Sequence, residues 1–566
     1  MDNHWTTLRR TIKLARPFWT GDAKWTAWGW LSLMLLGLLA ISGINASISF
    51  AERSISTALQ LKAADAFWQS LMYYGLIMVI AIPVIGSFGW VKGKLVLAWR
   101  DWLSRQFLSR YYDDAYFHRI DPAIDNRDQR IGQDVNIFCD KVVTICMVIL
   151  DNVLAFIVFI TILWMIDWKL VGVAMVYSAV GTVIMLRYGK RLIGMFANQE
   201  KLEAEFRRGM IYSAEHSISI ASYQGSKREL SGAFARLREV VSHWNNLIRL
   251  QRNLGLFRVG YDYLILVVPM LMIVPIYLAG DTDFGAVTQA GSSFGRVLGA
   301  LSIIVTQFQM FAELAASVTR LATFSEALER YEQEKCCAPV EGYIQTRFDD
   351  NLLELKQLTV RNSEDQTPLI APVSVRLEKG QRLLVTGASG IGKSTFVRGV
   401  AGLLRLGSGE VIRPGGRDTL FLPQKPYMPL GTLRDQLTYP GESGSVSDDV
   451  LDDLLRTVEL PDLVQRFGSL DAVRPWQDIL SSGEQQKIAV ARLLLAAPKC
   501  AILDEATSSL DIRSERHMYD LITASGITFI SVAHRPSVLP AHDLVLELKK
   551  GGAYELHKAS DYRFPD

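Results

Sequence analysis

The amino-acid sequence predicts a polytopic α-helical membrane domain fused to a C-terminal α/β domain. The two halves of the chain differ in a way that supports this fold class. Residues up to about 320 carry long apolar runs, whereas residues from about 346 onward have the mixed composition of a soluble α/β protein. At 566 residues the chain is also too long for one ordinary domain. The predicted domains are an N-terminal segment 1–24, a transmembrane domain 25–320, a linker 321–342 and an α/β domain 343–566.

A helix that crosses a bilayer needs about 20 predominantly apolar residues. Six segments of the first half approach or exceed this length, so we predict six transmembrane helices. The fourth segment is short, and the third contains a carboxylate. The predicted spans are 26–50, 67–91, 142–166, 170–186, 261–279 and 285–311.

The distribution of Lys and Arg predicts which side of the membrane each connection occupies. Residues 1–24 carry five of these cations, and the long connections 92–141 and 187–260 carry about twenty more. The short connections on the opposite side hold only Arg53, Lys62 and Lys169. Because positive charge is retained on the cytoplasmic side, we expect both termini and the two long connections in the cytoplasm. We also expect these connections to continue the membrane helices.

Two ionisable residues fall inside predicted spans, Asp151 in the third and Arg296 in the sixth. Such groups usually face a bundle interior or an aqueous cavity. Each is therefore a candidate for lining a path through the membrane, with a helix–helix ion pair as the alternative. Five further polar residues of the spans favour a hydrophilic cavity: Asn45, Ser47, Gln289, Gln307 and Gln309.

A glycine-rich segment at 387–395 fits the pattern G-x-x-x-x-G-K-[ST]. It follows a strand-like run at 382–386 and precedes a helix-like run at 396–404, which is the context this phosphate-binding loop requires. Backbone N–H groups of such a loop surround the phosphates of a nucleoside triphosphate, its lysine reaches the β- and γ-phosphates and its serine contacts Mg²⁺. The residues predicted to bind the nucleotide here are Gly387, Ser389, Gly390, Gly392, Lys393, Ser394 and Thr395.

Further polar residues follow the loop in an order that suits phosphoryl transfer to water. Gln424 ends a short apolar strand, Asp504 and Glu505 end a second one, and His534 ends a third. Asp504 is suited to hold Mg²⁺ together with Ser394 and Gln424, and Glu505 to deprotonate the attacking water. His534 can contact the γ-phosphate. A segment that opens a helix adds hydroxyl and N–H groups for an anion: Ser481, Ser482, Gly483 and Glu484, with Asp511 further on.

Together these motifs identify the chain as a member of the ATP-binding cassette family, and the resemblance spans nearly its whole length. The resemblance implies the cofactors ATP and Mg²⁺ and a C-terminal P-loop nucleotide-binding domain. In that family two cassettes meet head to tail, with ATP between one P-loop and the partner's signature segment. One cassette and six spans imply a half-transporter, which we expect to pair with a second copy of itself.

Finer resemblance favours subfamily D, which includes peroxisomal acyl-CoA and lysosomal cobalamin transporters. In the cassette it rests on residues 422–440 and 476–486, and in the membrane half on residues 126–135, 214–225 and 288–294. Bacterial members share the architecture, some with membrane domains similar to the SbmA/BacA peptide importers. The short N-terminal segment favours a multi-pass protein of the bacterial inner membrane.

Two positions depart from the family pattern. Ser482 replaces the glycine usual between the signature Ser and Gly, and subfamily D tolerates this change. The segment 358–362 offers no aromatic residue to stack on the adenine, so the preference for ATP rests on the family resemblance.

The expected function is that of an ATP-driven, homodimeric transporter that imports a peptide or a hydrophilic cofactor such as cobalamin by alternating access. One alternative is a transporter of fatty acids or acyl-CoA. An alternative of another class is an ATP-regulated channel or a non-transporting scaffold. The net charge of +2 provides no strong positive electrostatic field that would attract a nucleic acid. The five cysteines do not have the spacing of metal ligands. The other expected partners are the lipid bilayer and the small-molecule or peptide substrate.

Overall fold

The computed structural model describes residues 4–112, 127–301, 307–336, 342–350, 353–361 and 367–564. The chain divides into two compact units, Met1–Lys335 and Cys336–Asp566. The first unit continues beyond the boundary predicted near residue 320, because the helix that contains Arg320 runs on to Cys336. Parts of several segments named in the sequence analysis lie outside the described residues, among them 126 of the first loop motif, 362 near the adenine side, 302–306 of the sixth span and 337–341 of the linker.

The first unit is built from helices throughout its described part. In chain order they are α1 (His4–Thr20), α2 (Lys24–Gln60), α3 (Ala64–Tyr112), α4 (Arg127–Gln129), α5 (Val135–Ile166), α6 (Trp168–Glu215), α7 (Ser217–Ser222), α8 (Ser226–Leu278), α9 (Phe284–Leu301) and α10 (Phe308–Cys336). A single π-helical turn, Arg130–Asp134, joins α4 to α5.

Five of the six predicted spans each fall on a separate helix, and the sixth begins on another helix and extends over residues outside the described part of the chain. Four described helical segments are long and apolar enough to cross a membrane: Lys24–Gln60, Ala64–Tyr112, Arg130–Ile166 and Ser226–Leu278. The fourth predicted span is the shorter apolar segment Trp168–Ile184, which begins α6. The sixth begins as α9.

Three helices are much longer than a bilayer is thick. α3, α6 and α8 contain 49, 48 and 53 residues, so at about 1.5 Å per residue each is roughly 70–80 Å long, against a hydrocarbon core of about 30 Å. The long connections therefore do continue the membrane helices, and α7 turns the chain from α6 to α8. We call the end of the unit with these extensions the loop side. The opposite end, with the turns at 61–63, 167 and 279–283, is the turn side.

Two apolar cores hold the first unit together. The loop-side core joins α1, α2, α3, α5 and α10, and its largest fully buried side chains are Phe18, Trp99, Phe138 and Phe324. The turn-side core joins α5, α6, α8 and α9 around Phe159, Leu170, Ile273 and Phe294. The two cores lie at opposite ends of the helices, so α5 contributes its first turns to one and its last turns to the other.

The π-helical turn binds the first loop motif to α10. Arg130 donates through Nη1 to the carbonyl oxygen of Arg320 at 2.8 Å and to Oγ1 of Thr323 at 2.9 Å. Asp134, fully buried, accepts two hydrogen bonds from Arg320, at 2.6 and 2.7 Å, and its carbonyl oxygen accepts one from Ser317. The wide turn directs both side chains to the same helix, in keeping with the frequent occurrence of π-turns at functional positions.

The second unit contains two sheets. The four-stranded sheet has the order β1-β5-β2-β3 and the six-stranded sheet the order β10-β9-β4-β8-β7-β6, in which only β10 runs antiparallel to its neighbour. The strands are β1 (Gln345–Phe348), β2 (Leu353–Val360), β3 (Val373–Leu377), β4 (Arg382–Gly387), β5 (Gly407–Arg413), β6 (Thr419–Leu422), β7 (Cys500–Asp504), β8 (Thr528–Val532), β9 (Leu544–Leu548) and β10 (Tyr554–Lys558).

Helices cover the six-stranded sheet. They are α11 (Lys393–Val400), α12 (Leu433–Thr438), α13 (Asp448–Thr457), α14 (Leu463–Phe467), α15 (Trp476–Ile479), α16 (Ser482–Ala496) and α17 (Ile512–Ala524). Every residue of β7 and β8 is buried, as expected for parallel strands packed on both faces. Because the strands are parallel, the residues that follow β4, β7 and β8 lie at one edge of the sheet.

Replacing Asp134 by Ala should destabilise the first unit, because Arg320 would lose its buried acceptor. Breaking a buried ion pair costs about 3–5 kcal/mol, and we expect the lower end since Arg320 is 42% exposed. The measurement is the thermal unfolding midpoint in detergent, followed by tryptophan fluorescence. Asp101→Ala, which removes an exposed carboxylate paired with Arg105, is the matched control and should leave the midpoint unchanged. Equal midpoints for both variants would contradict the assigned role.

Candidate nucleotide site

The glycine-rich loop connects β4 to α11 at the carboxyl edge of the six-stranded sheet. Gly387 has φ +141°, and a Cβ there would collide with the carbonyl oxygen of Leu548 on the adjacent strand. Gly392 has φ +100° and precedes the first turn of α11. Only glycine adopts these conformations without strain. The loop thus presents the N-terminus of α11, with its free N–H groups, toward the sheet edge.

Lys393 and Ser394 begin α11 and point back over the loop. The ammonium of Lys393 donates to the carbonyl oxygens of Gly387 and Ala388, at 3.0 and 2.8 Å. Burial lowers the pKa of Lys393, while the charges of Glu505 and Asp504 act in the opposite direction. A negatively charged phosphate beside this cation would compensate the cost of its burial.

Asp504 ends β7 and is 2% exposed. Its Oδ1 accepts a hydrogen bond from Oγ of Ser394 at 2.8 Å, and its Oδ2 lies 3.8 Å from the guanidinium of Arg398. Burial raises the pKa of Asp504, and the Ser394 hydrogen bond and Arg398 oppose that shift. A hydroxyl, a carboxylate and the nearby amide of Gln424 form the oxygen-donor set that Mg²⁺ prefers, so the residues present fit this metal.

Glu505 follows β7 with φ +49°, a left-handed conformation that is strained for a residue with a side chain. Its N–H donates to the carbonyl oxygen of Val532 at 3.2 Å. Oε2 accepts from the amide of Gln424 at 2.8 Å, and Oε1 lies 3.2 Å from Nε2 of His534. The strained backbone therefore turns the carboxylate away from the strand, and two side chains from neighbouring strands hold it.

The structure thus brings together six residues from four separate segments of the sequence. Lys393, Ser394, Asp504 and Glu505 interact with one another directly or through their charges, and Gln424 and His534 contact Glu505. This set contains a cation for phosphate, oxygen ligands for a metal and a carboxylate held by two partners. It can support hydrolysis of a phosphoanhydride.

Gln486 is a residue that the sequence analysis did not select. It is 1% exposed on α16, donates to the carbonyl oxygen of Gln424 at 3.2 Å and accepts from the N–H of Ser509 at 2.9 Å. It therefore links the helix of the signature segment to the Gln424 loop and to the turn before Asp511. The signal in the sequence that could have identified Gln486 is an amide side chain in a mostly apolar helix.

The signature segment forms the N-terminus of α16. Ser481 and Glu484 make a capping box, each accepting from the other's N–H, and Glu484 also pairs with Arg466 at 2.6 Å. Asp511 is the N-cap of α17 and accepts from two N–H groups of its first turn. In the described structure the hydrogen bonds of these side chains stay within their caps or reach Arg466. Within one chain, the described contacts therefore do not place Ser481–Glu484 or Asp511 at the glycine-rich loop.

In the first unit, the two ionisable span residues lie on neighbouring helices. Asp151 on α5 and Arg296 on α9 are both exposed, and their charges interact, although among the described residues they form no direct ion pair. The Arg296 guanidinium lies 5.5 Å from the ring centre of Phe159. Gln289, interpreted from the sequence as lining a cavity, is instead buried against α2 and donates to Ser49. The position of a polar residue within an apolar segment does not show whether its side chain contacts a neighbouring helix or lines a cavity.

Replacing Lys393 by Ala should weaken nucleotide binding by roughly 10–100-fold, which corresponds to one charge-assisted hydrogen bond of about 1.5–3 kcal/mol. The test compares the rise in thermal midpoint that Mg-ATP produces in the two proteins over a titration. Lys379→Ala, an exposed lysine in the turn before β4, is the matched control and should titrate as the unmodified chain does. An unchanged titration for Lys393→Ala would mean that the loop does not hold the phosphates.

Comparisons with known families agree with this geometry. The model of ABC transporter transmembrane region 2 matches residues 17–278, and that of the ABC transporter family matches residues 370–508. A solved bacterial Atm1-family ABC exporter with ATP bound has a TM-score of 0.73, with 94% of this chain and 95% of that chain covered. At 17% identity, this likeness shows the fold.

Three relatives cover nearly the full chain. An uncharacterized ABC transporter ATP-binding protein of Synechocystis is 40% identical, over 94% of this chain and 82% of the relative. The chloroplastic ABC transporter D family member 2 of Arabidopsis thaliana is 32% identical, over 96% and 86%. The lysosomal cobalamin transporter of Mus musculus is 28% identical, over 93% and 92%. The chain therefore belongs to the D family of ATP-binding cassette transporters, as a half-transporter that joins a helical membrane domain to a Mg²⁺-dependent ATPase.

Proposed function

We propose that this half-transporter acts as a homodimer in the bacterial inner membrane and imports a peptide or a hydrophilic cofactor such as cobalamin by alternating access. Both termini and the cassette would face the cytoplasm, as the distribution of Lys and Arg indicates. Import is the direction that the resemblance to bacterial peptide importers implies.

The division of the nucleotide site supports the homodimer. Lys393, Ser394, Asp504 and Glu505 cluster at the sheet edge, whereas the signature helix N-terminus at Ser481 is held by contacts elsewhere. Phosphates bound at the loop would need additional donors on their open side, and the N-terminus of α16 is a suitable donor. A second copy placed head to tail would provide it twice, once for each site.

The roles of the residues in hydrolysis follow from their contacts. Lys393 would stabilise charge on the β- and γ-phosphates, and Glu505 would accept the proton of the attacking water at one of its carboxylate oxygens. Gln424 and His534 orient that carboxylate. When bound, Mg²⁺ neutralises charge between phosphate oxygens, and Ser394, Asp504 and Gln424 would hold it.

The exposed face of α9 supports a polar path. Thr288, Ser292, Arg296 and Gly299 recur at helical spacing and are exposed, so beyond Phe284, which is 40% exposed at the start of the helix, the described part of this face carries no apolar side chain. By contrast, the exposed residues of α3 include Trp68, Leu76 and Ile82, which suit lipid. A polar face within a membrane span borders either a partner helix or water. Arg296 and Asp151 would then meet a substrate with hydrogen-bonding or charged groups.

Replacing Glu505 by Gln should reduce ATP hydrolysis by at least about 100-fold while ATP still binds, because the general base is lost but the charges at the phosphates remain. The ATP-bound chain should accumulate as a dimer, measured by light scattering with Mg-ATP present. Asp520→Asn, an exposed carboxylate on α17, is the matched control and should hydrolyse normally. Hydrolysis by Glu505→Gln at the normal rate would show that another group is the base, and a persistent monomer would contradict the homodimer.

The substrate class can be tested by ATP hydrolysis in nanodiscs titrated with cobalamin, a cationic peptide and an acyl-CoA. We expect stimulation by cobalamin or the peptide, and a smaller stimulation in Arg296→Gln, because binding at the polar face would couple to the cassettes. Stimulation by the acyl-CoA alone would replace the proposed substrate with fatty acyl compounds. Ion conductance in planar bilayers without stimulation by any of the three would instead indicate an ATP-regulated channel.

A further inference from the structure

Three side chains that can bind a metal lie together on one face of the β9–β10 hairpin, in the second unit. They are Glu547 on β9 and Glu555 and His557 on β10. One ligand atom of each side chain lies within 4.8 Å of the ligand atoms of the other two. Among the described residues, no other group of His, Cys, Asp or Glu side chains converges in this way.

The pairing of the two strands explains why these side chains converge. Glu555 lies directly opposite Glu547 in the antiparallel register, and His557 lies opposite Val545, two residues along β9. Because side chains alternate across a strand, Glu555 and His557 share the face on which Glu547 lies. His557 is therefore the diagonal neighbour of Glu547 and is within reach of both carboxylates.

The two carboxylates need a cation between them. Like charges directly opposite each other on paired strands are destabilising. Lys549 compensates Glu555 on one side only, with Nζ 2.5 Å from Oε1. The oxygens on the other side, Oε2 of Glu555 and Oε2 of Glu547, lie 3.4 and 3.8 Å from Nε2 of His557. These three atoms surround a position that a cation could occupy.

The imidazole nitrogen at this position has no partner of its own. His557 as a whole is 33% exposed, but its Nε2 atom is buried and forms no hydrogen bond among the described residues. A buried polar atom that is left unsatisfied costs about 1–3 kcal/mol. A metal ion bound to the nitrogen lone pair would remove this cost and would neutralise the two carboxylates at the same time.

The spacing of the ligand atoms suits a tetrahedral ion. Zn²⁺ binds imidazole nitrogen and carboxylate oxygen at about 2.1 Å, which places neighbouring ligand atoms of a tetrahedron roughly 3.4 Å apart. The separations from Nε2 of His557 to the two carboxylates, 3.4 and 3.8 Å, are close to this value. An imidazole ligand favours Zn²⁺, Ni²⁺ or Cu²⁺, whereas Mg²⁺ and Ca²⁺ prefer oxygen ligands.

Neighbouring groups orient the three side chains. Lys549 holds one oxygen of Glu555, and the hydroxyl of Tyr562 donates to Glu547. The ring of Tyr562 is 8% exposed, and its centre lies 5.5 Å from that of His557. Partners that hydrogen-bond or pack against metal ligands in this way position them for the ion.

The hairpin also borders the glycine-rich loop. Glu547 is in register with Thr386, the residue before Gly387, and the carbonyl oxygen of Leu548 lies against Gly387. These residues line a cavity of about 380 Å³, and His534 lines it as well. An ion bound to the hairpin would therefore stabilise a wall of the nucleotide site without being one of its Mg²⁺ ligands.

We propose that Glu547, Glu555 and His557 form a second metal site, which binds a divalent transition-metal ion such as Zn²⁺ and leaves the remaining coordination position to water. The site differs from the Mg²⁺ site in its ligands, and it does not depend on the proposed transport function. Its role is to hold the β9–β10 hairpin against the start of the P-loop.

Metal binding is measured on the full-length chain in nanodiscs after metals have been removed with EDTA. Zn²⁺ is titrated against a chromophoric chelator with Mg²⁺ in excess, and ATP is absent so that turnover does not enter the measurement. We expect one tightly bound ion per chain. His557→Gln should weaken its binding by more than about 100-fold, since losing a group that only orients a ligand already costs about 10–100-fold.

Matched variants distinguish this site from the other histidines and carboxylates of the chain. Glu555→Gln should also weaken Zn²⁺ binding, whereas Asp561→Asn, an exposed carboxylate nearby, should not. His216→Gln, an exposed imidazole after α6, should bind as the unmodified chain does. Equal binding by all of these proteins would place the ion elsewhere and overturn the proposal.

The thermal unfolding midpoint separates lost binding from lost folding. Zn²⁺ should raise the midpoint of the unmodified chain and of His216→Gln, because the ion binds the folded state. His557→Gln and Glu555→Gln should unfold cooperatively without metal and gain less from Zn²⁺. If His557→Gln does not fold, the Glu555→Gln comparison decides. Absence of tight binding by the unmodified chain would overturn the site and assign the three side chains to an ion-pair cluster around a protonated imidazole.

Discussion

The buried carboxylate of Asp504 is the group around which the nucleotide unit is organised. It lies at the end of a fully buried parallel strand, where desolvation raises its pKa, and it is bound to Ser394 at the start of the P-loop helix. That single hydrogen bond couples α11 to β7 across the intervening strand β8. The strained turn at Glu505 begins immediately afterwards, so the same strand end positions both the proposed metal ligand and the proposed base. A displacement of β7 would move both groups together.

In the membrane unit, the chemistry of the contacts differs with position. Apolar burial joins helices at the loop side and among α5, α6, α8 and α9, whereas ion pairs and hydrogen bonds join α2 to α9 and the first loop motif to α10. Apolar cores suit permanent association because their loss exposes surface to water. Polar contacts define one geometry closely and can be exchanged for water. The Asp134–Arg320 pair is nevertheless buried on its acidic side, which makes it a fixed link between the loop motif and the helix that leads toward the cassette.

The proposed dimer explains why the predicted nucleotide-binding residues of one chain fall into two separate groups. Within one chain, the capping box of Ser481 and the N-cap of Asp511 use hydroxyl and carboxylate groups to stabilise helix ends. The same helix N-termini are anion donors when a phosphate is placed against them. A residue can therefore stabilise the single chain and complete a neighbour's site. Gln486 connects the two functions, since it ties the signature helix to the loop that holds Gln424.

The sequence by itself determined the class of the protein, and it predicted which residues bind the nucleotide. Motif order and spacing suffice there because a P-loop, a strand-end carboxylate pair and a strand-end histidine obey local rules of backbone geometry. Apolar runs likewise predicted six spans and helices that extend beyond the bilayer. Only the tertiary structure decided which polar residues meet. Gln289 packs against α2, Asp134 binds Arg320 across 186 positions of the chain, and Arg53 pairs with Asp283 across 230. These pairings depend on helix rotation and register. A hydropathy profile encodes neither, because it treats every polar residue of a span alike, whichever helix that residue faces.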